Sequence, residues 1–300
     1  MIRAAIVGYG NIGKGVYEAI SAAPDFELAG VIKNKREIKI PPDDNGEVPV
    51  VGFNDIKKLG KIDVALLCTP SRSVPDTVPL YLEMGINTVD SFDIHDPIWD
   101  VKTKLDACAK KNNAVSLLSV GWDPGTDSII RALYESMAPM GKTFTNFGPG
   151  MSMGHTVAVK AIKGVKSALS MTMPKGEGLH RRMVYIDIED GFDFEKVAED
   201  IKKDPYFIKD ETHVMLERNV DRILDLGHAS NVIRKGVSGV THNQHFEYNV
   251  VAQNPALTAQ VMVSSARAAM KQKPGCYTMI EIPIIDLLYG EKEELIRRLV

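Results

Sequence analysis

The sequence predicts an α/β protein in which a doubly wound parallel sheet is followed by a second, mostly antiparallel α+β domain. Two observations lead to this prediction. Over residues 1–120, short apolar runs alternate with segments of helical periodicity, which is typical of βαβ units. After the segment Gly-Trp-Asp-Pro-Gly at 121–125, strand-like segments with alternating polarity follow one another instead. The chain should therefore contain two domains.

Length, charge and cysteine content agree with a two-domain cytoplasmic protein. The chain has 300 residues, of which 44% are hydrophobic and 25% are charged, and these values are close to globular averages. A net charge of −3 argues against a general binder of nucleic acid or other polyanions. No apolar run is long enough to span a membrane, and three cysteines without a paired pattern indicate reduced thiols. We therefore expect a cytoplasmic protein that binds neither nucleic acid nor membrane.

A glycine-rich turn separates the first strand from the first helix. The apolar run at 4–7 predicts a buried strand that ends at Gly8-x-Gly10-x-x-Gly13, after which apolar residues recur at helical spacing. In a Rossmann-type dinucleotide site, such glycines allow a tight turn, the approach of amides to a pyrophosphate, and close helix–strand packing. The alternative is a glycine-rich turn in another α/β protein. The residues expected to contact the cofactor here are Gly8, Tyr9, Gly10, Asn11 and Ile12.

The residues after the second strand bear on the choice between NAD and NADP. An NAD site usually places an Asp or Glu here, which accepts hydrogen bonds from the ribose 2′-hydroxyl. This chain instead has Lys33-Asn34-Lys35-Arg36, whose three cations suit a 2′-phosphate, so the sequence favours NADP. The alternative is a solvated basic turn. The loop Cys68-Thr69-Pro70-Ser71, which follows a later strand at the carboxyl edge of the sheet, is also predicted to bind the cofactor.

The other elements of the first domain follow from the same periodicities. Strands are predicted at 26–32, 50–53, 62–68, 86–90 and 114–119. Helices are predicted at 74–84 and 97–112, and the second is expected to have Asp96 as its N-cap and Pro97 as its first residue.

The second domain and the tail show different patterns. Strand-like segments are predicted near 164–173, 182–189 and 237–250. The tail has a helix at 256–271, a further segment at 278–285 and a charged terminal helix, and we expect it to fold back on the first domain. The predicted domains are a dinucleotide-binding domain of residues 1–121 and 256–300, and a substrate-binding and dimerisation domain of residues 122–255.

Two loops carry carboxylates that could take part in chemistry. Asp93 follows the fifth strand and Asp123 follows the sixth, so both should lie at the carboxyl edge of the sheet, on the nicotinamide side. Carboxylates at that place would suit a substrate ammonium group. The alternatives are a solvated loop charge for Asp93 and a turn residue for Asp123, because Asp-Pro-Gly is good turn chemistry.

Further candidates lie in the second half of the chain. The glycine-rich segment 148–155, which precedes a short helix from about Thr156, could present amides to a carboxylate or could be an ordinary loop. His242 and His245 lie three residues apart in an apparent strand and would face opposite sides, so no metal site is predicted. The remaining candidates are spaced too widely to form a local motif: Thr172, Arg182, His228 and Asn254.

Five segments form a recognisable combination: VGYGNIGKGV, TVDSFDIH, GWDPG, FGPGMSMGH and LHRRMVYID. This combination resembles the meso-diaminopimelate dehydrogenase family, and the resemblance covers nearly the whole chain. It implies a homodimer that oxidatively deaminates the D-centre of meso-2,6-diaminopimelate with NADP⁺, giving L-2-amino-6-oxopimelate and ammonia. It also implies that Asp93 and Asp123 hold the reacting D-amino group. Trp122 and Phe147 are implied as walls of the pocket, and Met153 and Gly154 as residues around the D-centre. Those implied at the distal L-centre are Thr172, Arg182, His228 and Asn254.

Two details qualify what the resemblance implies. Many members of the family carry Ser-Arg-Arg where this chain has Lys33-Asn34-Lys35-Arg36. Because lysine lacks the bidentate fork of arginine, the preference for NADP over NAD should be softer here. The segment Met153-Gly154-His155-Thr156-Val157 resembles the subgroup that also accepts 2-keto acids with ammonia.

Three alternative functions remain open at this point. A sugar-dehydrogenase or dihydrodipicolinate-reductase type of enzyme shares the two-domain plan, but the former has Glu-Lys-Pro where this chain has Asp90-Ser91-Phe92. An NADP-sensing regulator would need a helix-turn-helix or a basic interaction segment, and neither is evident. A structural dimer protein with a vestigial site would not need the intact glycines or the two carboxylate loops.

Overall fold

The computed structural model describes residues 1–33, 40–42, 46–224 and 227–300, apart from the side chains of Met153 and Gly154. The chain divides into two compact units, which are residues 1–129 with 255–300, and residues 130–254. The sequence-based prediction placed the first crossing after residue 121. The structure places it after Ile129, inside the helix Asp127–Met137.

The strands are labelled in chain order. They are β1 (Ile2–Val7), β2 (Phe26–Ile32), β3 (Val50–Val51), β4 (Val64–Leu67), β5 (Asn87–Asp90), β6 (Val115–Leu117), β7 (Met140–Met151), β8 (Val165–Gly176), β9 (Leu179–Ile188), β10 (Glu211–Leu216), β11 (Gly227–Ser238), β12 (Thr241–Gln253) and β13 (Gly275–Tyr277).

The α-helices are labelled in the same way. They are α1 (Asn11–Ser21), α2 (Val74–Leu82), α3 (Ile98–Lys111), α4 (Asp127–Met137), α5 (Met153–Lys160), α6 (Phe194–Lys203), α7 (Asn254–Ala269) and α8 (Lys292–Leu299).

The first unit contains a seven-stranded sheet in the order β13-β6-β5-β4-β1-β2-β3. Every pair of neighbouring strands in it is parallel. The chain runs outward from β1 through β2 on one side and from β4 through β6 on the other, so the strand order reverses beside β1. The carboxyl ends of strands at such a reversal form the crevice in which doubly wound folds bind ligands. The predicted Rossmann-type fold is therefore confirmed.

Alternate residues of β1 enter two different cores, as the period of a buried strand requires. Ala4 and Ile6 pack with α1 and α7 on one face, whereas Ala5 and Val7 pack with α2 and α3 on the other. The tail of the chain joins this unit, because α7 lies in the first core and β13 pairs with β6. The side chain of Arg267 on α7 also forms a salt bridge with Asp25, just before β2.

The second unit contains a six-stranded sheet in the order β10-β9-β8-β7-β11-β12. Its neighbours are antiparallel except β9 and β10, which are parallel, so the prediction of a mostly antiparallel sheet is confirmed. The helices α5 and α6 cover an apolar core on one face, which includes Val184 and Ile186. The helix α4 packs on that same face, where Tyr134 stacks on Phe246.

Several predicted boundaries are wrong, and local chemistry explains most of the errors. Only Val50–Val51 forms a strand, because a 3-10 helix follows at Phe53–Leu59. Pro97 occupies the N-cap position of α3 without a side-chain capping bond, so Asp96 is not the cap. The single strand predicted at 237–250 is in fact the turn and second strand of the hairpin β11–β12, and Gly239 turns the chain at a φ of +58°.

Cys68, Cys108 and Cys276 are all free thiols. Among the described residues, no group of three or more His, Cys, Asp or Glu side chains could hold a metal ion. Within the same residues, none of the helices has both the length and the apolar character needed to cross a membrane.

Candidate functional site

The glycine turn between β1 and α1 has the close contacts that its sequence predicts. Gly8 has a φ of +88° and donates its amide to the carbonyl of Ile32 at 3.0 Å. A Cβ at Gly8 would lie 2.8 Å from the carbonyl oxygen of Cys68, and one at Gly13 would overlap the carbonyl oxygen of Gly8. A Cβ at Gly10 would meet nothing within 4 Å. The turn therefore packs tightly against the sheet and is open on the side of Gly10.

The other predicted residues of this turn continue it into α1. Asn11 and Ile12 are the first two residues of the helix, and Gly10 occupies the N-cap position without a side-chain cap. The ring of Tyr9 packs edge-on against Tyr17 with centroids 6.4 Å apart, and burial raises the pKa of its hydroxyl. Because no side chain caps the helix, its first turn can receive a phosphate group on its amides.

A pocket of about 700 Å³ opens beside the glycine turn. Lys33 and Thr69 lie in its wall, as predicted for cofactor contacts. The Oγ1 atom of Thr69 is buried and has no hydrogen-bond partner within the part of the chain that the structure describes. This hydroxyl can therefore donate a hydrogen bond to a ligand in the pocket or accept one from it. The predicted contacts Asn34, Lys35 and Arg36 lie outside the described residues. Sequence reasoning missed other residues of the wall: Phe53, Asn54, Asp55, Thr77, Leu80 and Tyr81.

The glycines, the uncapped helix and the Thr69 hydroxyl together fit a dinucleotide. A tight turn, a helix start without a side-chain cap, and a buried hydroxyl in a pocket that also contains Lys33 suit a pyrophosphate and its adenosine. The sequence did not predict that residues 53–55 line this pocket, because the weak pattern there was interpreted as the end of a short strand. The 3-10 helix that forms there brings their side chains to the end of β2.

The loop after β4 is joined to the loop after β5. Ser71 begins a 3-10 helix after Pro70, and its Oγ accepts the amide of Asp93 at 3.2 Å. Cys68 lies at the start of the same loop, where burial raises the pKa of its thiol and leaves it un-ionised. The predicted cofactor loop and the predicted catalytic Asp93 therefore lie together at the carboxyl edge of the first sheet.

Asp90, at the end of β5, joins the two carboxylate loops. Its Oδ1 accepts the amides of Phe92 at 3.0 Å and Ser119 at 3.2 Å, and its carbonyl accepts the amide of Val120 at 2.7 Å. The side chain is fully buried, and this burial raises its pKa to about 7 against the lowering effect of the two amides. Burial and the nearby Asp90 also raise the pKa of the Cys276 thiol to about 12. Sequence reasoning placed Asp90 in this loop without giving it a role.

Asp123 follows the buried Trp122 in the segment that joins β6 to α4. The backbone of Asp123 is extended, with a φ of −142°, and the segment is closed by the amide of Thr126, which donates to the carbonyl of Gly121 at 3.0 Å. The hydroxyl of Thr126 donates to the carbonyl of Trp122 at 3.1 Å. Because β5 and β6 are neighbours, Asp93 and Asp123 follow adjacent strands at one edge of the sheet, as predicted.

In the second unit, strand register places four residues in one row across the sheet: Arg182, Thr172, Gly150 and His228. All except Gly150 were predicted to bind substrate. Arg182 on β9 pairs with Thr172 on β8, Thr172 pairs with Gly150 on β7, and Gly150 pairs with His228 on β11. Directly paired residues point to the same face of a sheet. These four residues span 78 positions of the sequence, from Gly150 to His228. They nevertheless lie side by side on the sheet face that α5 and α6 partly cover.

Arg182 has two partners on this face. Its Nη1 donates to Thr172 Oγ1, and its Nε donates to Asp210 Oδ2 at 2.6 Å. The guanidinium side chain is 15% exposed, so this charge is largely removed from water while it keeps a carboxylate partner. A planar guanidinium held in this way suits a second carboxylate on a ligand. Asp210 was missed because nothing in a single sequence links it to a residue 28 positions away.

Three aromatic rings lie next to this row. Phe147 lies between His180 and His228, with ring centroids 5.7 Å and 6.3 Å away. The amide of Phe147 donates to Nε2 of His180 at 2.8 Å. Burial lowers the pKa of His228 and of His180, and the nearby Arg182 lowers both further. Phe147 and His228 were predicted to bind substrate, whereas the contribution of His180 was not recognised.

The remaining predicted residues lie at the ends of elements. Met153 and Gly154 are the first residues of α5, which begins three residues earlier than Thr156, where the sequence placed its start. Of the glycine-rich segment 148–155, residues 148–151 are the end of β7 and residues 153–155 begin α5; its role in presenting amides to a carboxylate stays a prediction. Asn254 is the last residue of the second unit and directly follows β12, two residues beyond the partner of His228.

Comparison with known proteins shows full-length relatives. A family profile described as the diaminopimelic acid dehydrogenase C-terminal domain matches residues 121–181. The meso-diaminopimelate D-dehydrogenase of Bacteroides fragilis is 61% identical over 299 residues, which cover 100% of this chain and 99% of the relative.

Solved structures agree with this likeness. A meso-DAP dehydrogenase variant from Clostridium tetani, crystallised with DAP, is 32% identical with a TM-score of 0.87 over 100% of both chains. An engineered D-amino acid dehydrogenase bound to NADP⁺ is 28% identical with a TM-score of 0.81, covering 100% of this chain and 99% of that one. These likenesses confirm the prediction of an amino-acid dehydrogenase with a nicotinamide cofactor.

Proposed function

The chain belongs to the meso-diaminopimelate D-dehydrogenase family. From that premise we propose that it oxidatively deaminates the D-centre of meso-2,6-diaminopimelate with NADP⁺ and water, giving L-2-amino-6-oxopimelate, ammonia, NADPH and a proton. Water adds to the iminium that hydride transfer leaves, and ammonia then departs. The observation that carries this proposal is the likeness to a relative of that name over the full chain, which leaves no part of either unit without a counterpart. The reaction is reversible, and its reverse is reductive amination. The residues of each unit support the proposal separately.

The first unit supports NADP as the cofactor. The glycine turn and the uncapped start of α1 would hold the pyrophosphate, and the pocket that contains Thr69 would hold the adenosine. Lys33 lies in the wall of that pocket, where its ammonium group would offset the charge of a 2′-phosphate. Asn34, Lys35 and Arg36 are proposed to contribute to the same contact. When bound, the nicotinamide supplies the hydride acceptor for the substrate α-carbon.

The two carboxylate loops are proposed to hold the reacting D-amino group. An α-ammonium must lose a proton before hydride can leave the α-carbon, because the developing iminium needs the nitrogen lone pair. The carboxylates of Asp93 and Asp123 would stay beside the nitrogen and offset the positive charge as it develops. Ser71 and Asp90 hold the backbone of these loops in place through amide hydrogen bonds. Trp122 and Phe147 are proposed to form walls of the substrate pocket, and Met153 and Gly154 to contribute around the D-centre.

The row on the second sheet is proposed to bind the distal L-centre. The guanidinium of Arg182 and the hydroxyl of Thr172 would bind its carboxylate, because they are already joined by a hydrogen bond and lie on one face. His228 and Asn254 would bind the same end. A substrate whose D-centre and L-centre both contact these residues should be strongly preferred over one that lacks the L-centre. For the reverse reaction, 2-keto acids with ammonia are also proposed as substrates.

We also propose a cytoplasmic homodimer. The free thiols agree with a reducing compartment. The sheet face opposite the row carries half-buried Met171, Met183, Tyr185 and Met215, whereas α4, α5 and α6 pack on the other face. A second copy of the chain seated on this apolar face would cover it. Light scattering on the purified protein should give the mass of two protomers, and a monomer at micromolar concentration would contradict this assignment.

One assay tests the proposed function. NADPH formation should be measured with the meso, LL and DD isomers of diaminopimelate, each with NADP⁺ and with NAD⁺. We expect turnover of the meso isomer and none of the LL isomer, which has no D-centre to oxidise, and we expect higher efficiency with NADP⁺. Turnover of the LL isomer at the rate of the meso isomer, or no turnover of the meso isomer, would refute the proposal. Equal efficiency with NAD⁺ would refute only the 2′-phosphate assignment.

A further inference from the structure

The backbone amide of Phe147 is bonded by a side chain and not by the neighbouring strand. On that side of β7, the ladder with β8 consists of only two pairs, Gly150 with Thr172 and Met151 with Met171. Phe147 lies beyond them. Its N–H donates instead to Nε2 of His180 on β9, the strand beyond β8, at 2.8 Å. Because a half-buried amide without an acceptor would be costly, this imidazole completes the backbone bonding of β7 at Phe147.

The hydrogen bond fixes the protonation of His180. A ring nitrogen accepts an N–H only when it carries no proton, so the ring must be neutral with its proton on Nδ1. Burial and one of the two nearby charged groups favour this neutral form of His180, and the other charged group opposes it. Burial and the Arg182 guanidinium on the same strand lower the pKa of His180, while the Asp210 carboxylate before β10 opposes them. His228, on β11, lies on the opposite side of Phe147.

We propose that His180 is a positioning residue for binding the distal L-centre of the substrate. Its Nε2 accepts a hydrogen bond from the Phe147 amide and so holds the Phe147 ring in place. This inference rests on the proposed function and adds a residue to it. His180 and Arg182 are two residues apart on β9 and so share the face that carries Thr172 and His228. Phe147 lies between two rings, and on the His180 side its backbone amide is also hydrogen-bonded.

This arrangement makes distal binding sensitive to acid. A second proton on His180 would place an N–H on Nε2, facing the N–H of Phe147, so the hydrogen bond would be lost. The Phe147 backbone would then be free to shift away from the row. The KM for meso-diaminopimelate should therefore rise as the pH falls through the lowered pKa of His180, while the KM for NADP⁺ should not follow it.

The test compares three variants with the wild-type enzyme. His180→Phe keeps a ring beside Phe147 and removes the acceptor, whereas His180→Gln keeps an acceptor oxygen at a similar reach. His242→Gln is the matched control, because it makes the same substitution at an exposed histidine next to the turn between β11 and β12. Steady-state kinetics should be measured between pH 5.5 and 8.5. Spectra of protein labelled with ¹⁵N-histidine should be recorded at pH 8, and the His180 signal assigned by its loss in the His180→Gln variant.

We expect His180→Phe to raise the KM for meso-diaminopimelate about tenfold with little change in kcat, a factor that corresponds to about 1.4 kcal/mol. His180→Gln and His242→Gln should stay near the wild type at pH 8, and His180→Gln should lose the acid rise in KM. The wild-type spectrum should show Nε2 without a proton. A protonated Nε2 at pH 8, or an unchanged KM in His180→Phe, would overturn this assignment alone. Absence of wild-type turnover would overturn it together with the proposed function.

Discussion

The buried carboxyl group of Asp90 should make the stability of the first unit depend on pH, and Asp90→Asn should remove that dependence. The native pKa of Asp90 is raised to about 7 by burial, against an ordinary value of 3.8. Between these values the folded protein binds one proton more than the unfolded chain. The free energy of unfolding therefore falls as the pH rises through this window, and the contribution is fully present only below the unfolded pKa.

The magnitude follows from the width of the window. Each pH unit corresponds to about 1.36 kcal/mol, so an interval of about three units gives a loss of about 4 kcal/mol on going from pH 4 to pH 8. Asp90→Asn keeps an oxygen to accept the amides of Phe92 and Ser119 but cannot ionise. Its buried NH₂ group costs about 1–3 kcal/mol where no acceptor faces it. The variant should therefore be less stable than the wild type at pH 5 and as stable or more stable at pH 8.

Urea unfolding at pH 5, 6, 7 and 8 provides the assay. Both tryptophans, Trp99 and Trp122, belong to the first unit, so fluorescence reports the unfolding of that unit. Asp96→Asn is the control, because it removes an exposed carboxylate of the neighbouring loop. The stability difference between wild type and Asp90→Asn should change by about 2.7 kcal/mol across this range, because about two pH units separate pH 5 from the native pKa of about 7. A difference that stays constant with pH would show that Asp90 is ionised throughout and would refute the reasoning.

Three further predictions concern the proposed sites. Asp123→Asn should lower turnover by roughly 10²–10³-fold with an unchanged melting temperature, because it removes one preorganised charge at the reacting nitrogen; near-normal turnover would return Asp123 to a turn role. Gly13→Ala should destabilise the protein by about 1–3 kcal/mol, because its Cβ would overlap the Gly8 carbonyl. Gly10→Ala should melt normally, because its Cβ would meet no atom within 4 Å, but it should bind NADP⁺ less well because the Cβ would lie on the open side of the turn. Equal melting temperatures for the two variants would contradict this. Arg182→Met should raise the KM for meso-diaminopimelate about 10- to 100-fold, the value of a charge-assisted contact, and should spare a short D-amino acid; equal losses on both substrates would argue against its distal role.

The first unit could be predicted from the sequence because its signals are local. The strand β2 has the predicted bounds, Phe26–Ile32, and the glycine turn lies where the motif places it. In a doubly wound sheet, strands are short continuous apolar runs and helices have a different period, so each element can be recognised from its own residues. The carboxyl-edge position of Asp93 and Asp123 then follows from the topology alone.

The second unit could be predicted less well because its arrangement depends on pairs far apart in sequence. The long strand β7 was not predicted, and the hairpin β11–β12 was read as one strand. The partnership of Arg182 with Asp210 and that of Phe147 with His180 cross between elements, and no periodicity records them. Family resemblance supplied Thr172, Arg182 and His228, but it did not supply the residues that hold them.

The row on the second sheet depends on an irregularity in β7 that the alternation of a strand could not reveal. Phe147 and Gly150 are three residues apart, and in a regular strand they would point to opposite faces. Their partners on β11 are Ser230 and His228, which are only two residues apart and therefore share a face. The register shift between these pairs is a bulge that gives β7 one extra residue. It turns Phe147 to the face of His228, and the amide bond to His180 then holds it there. A change that restored regular register at 147–150 would therefore turn Phe147 away from the face that carries His228.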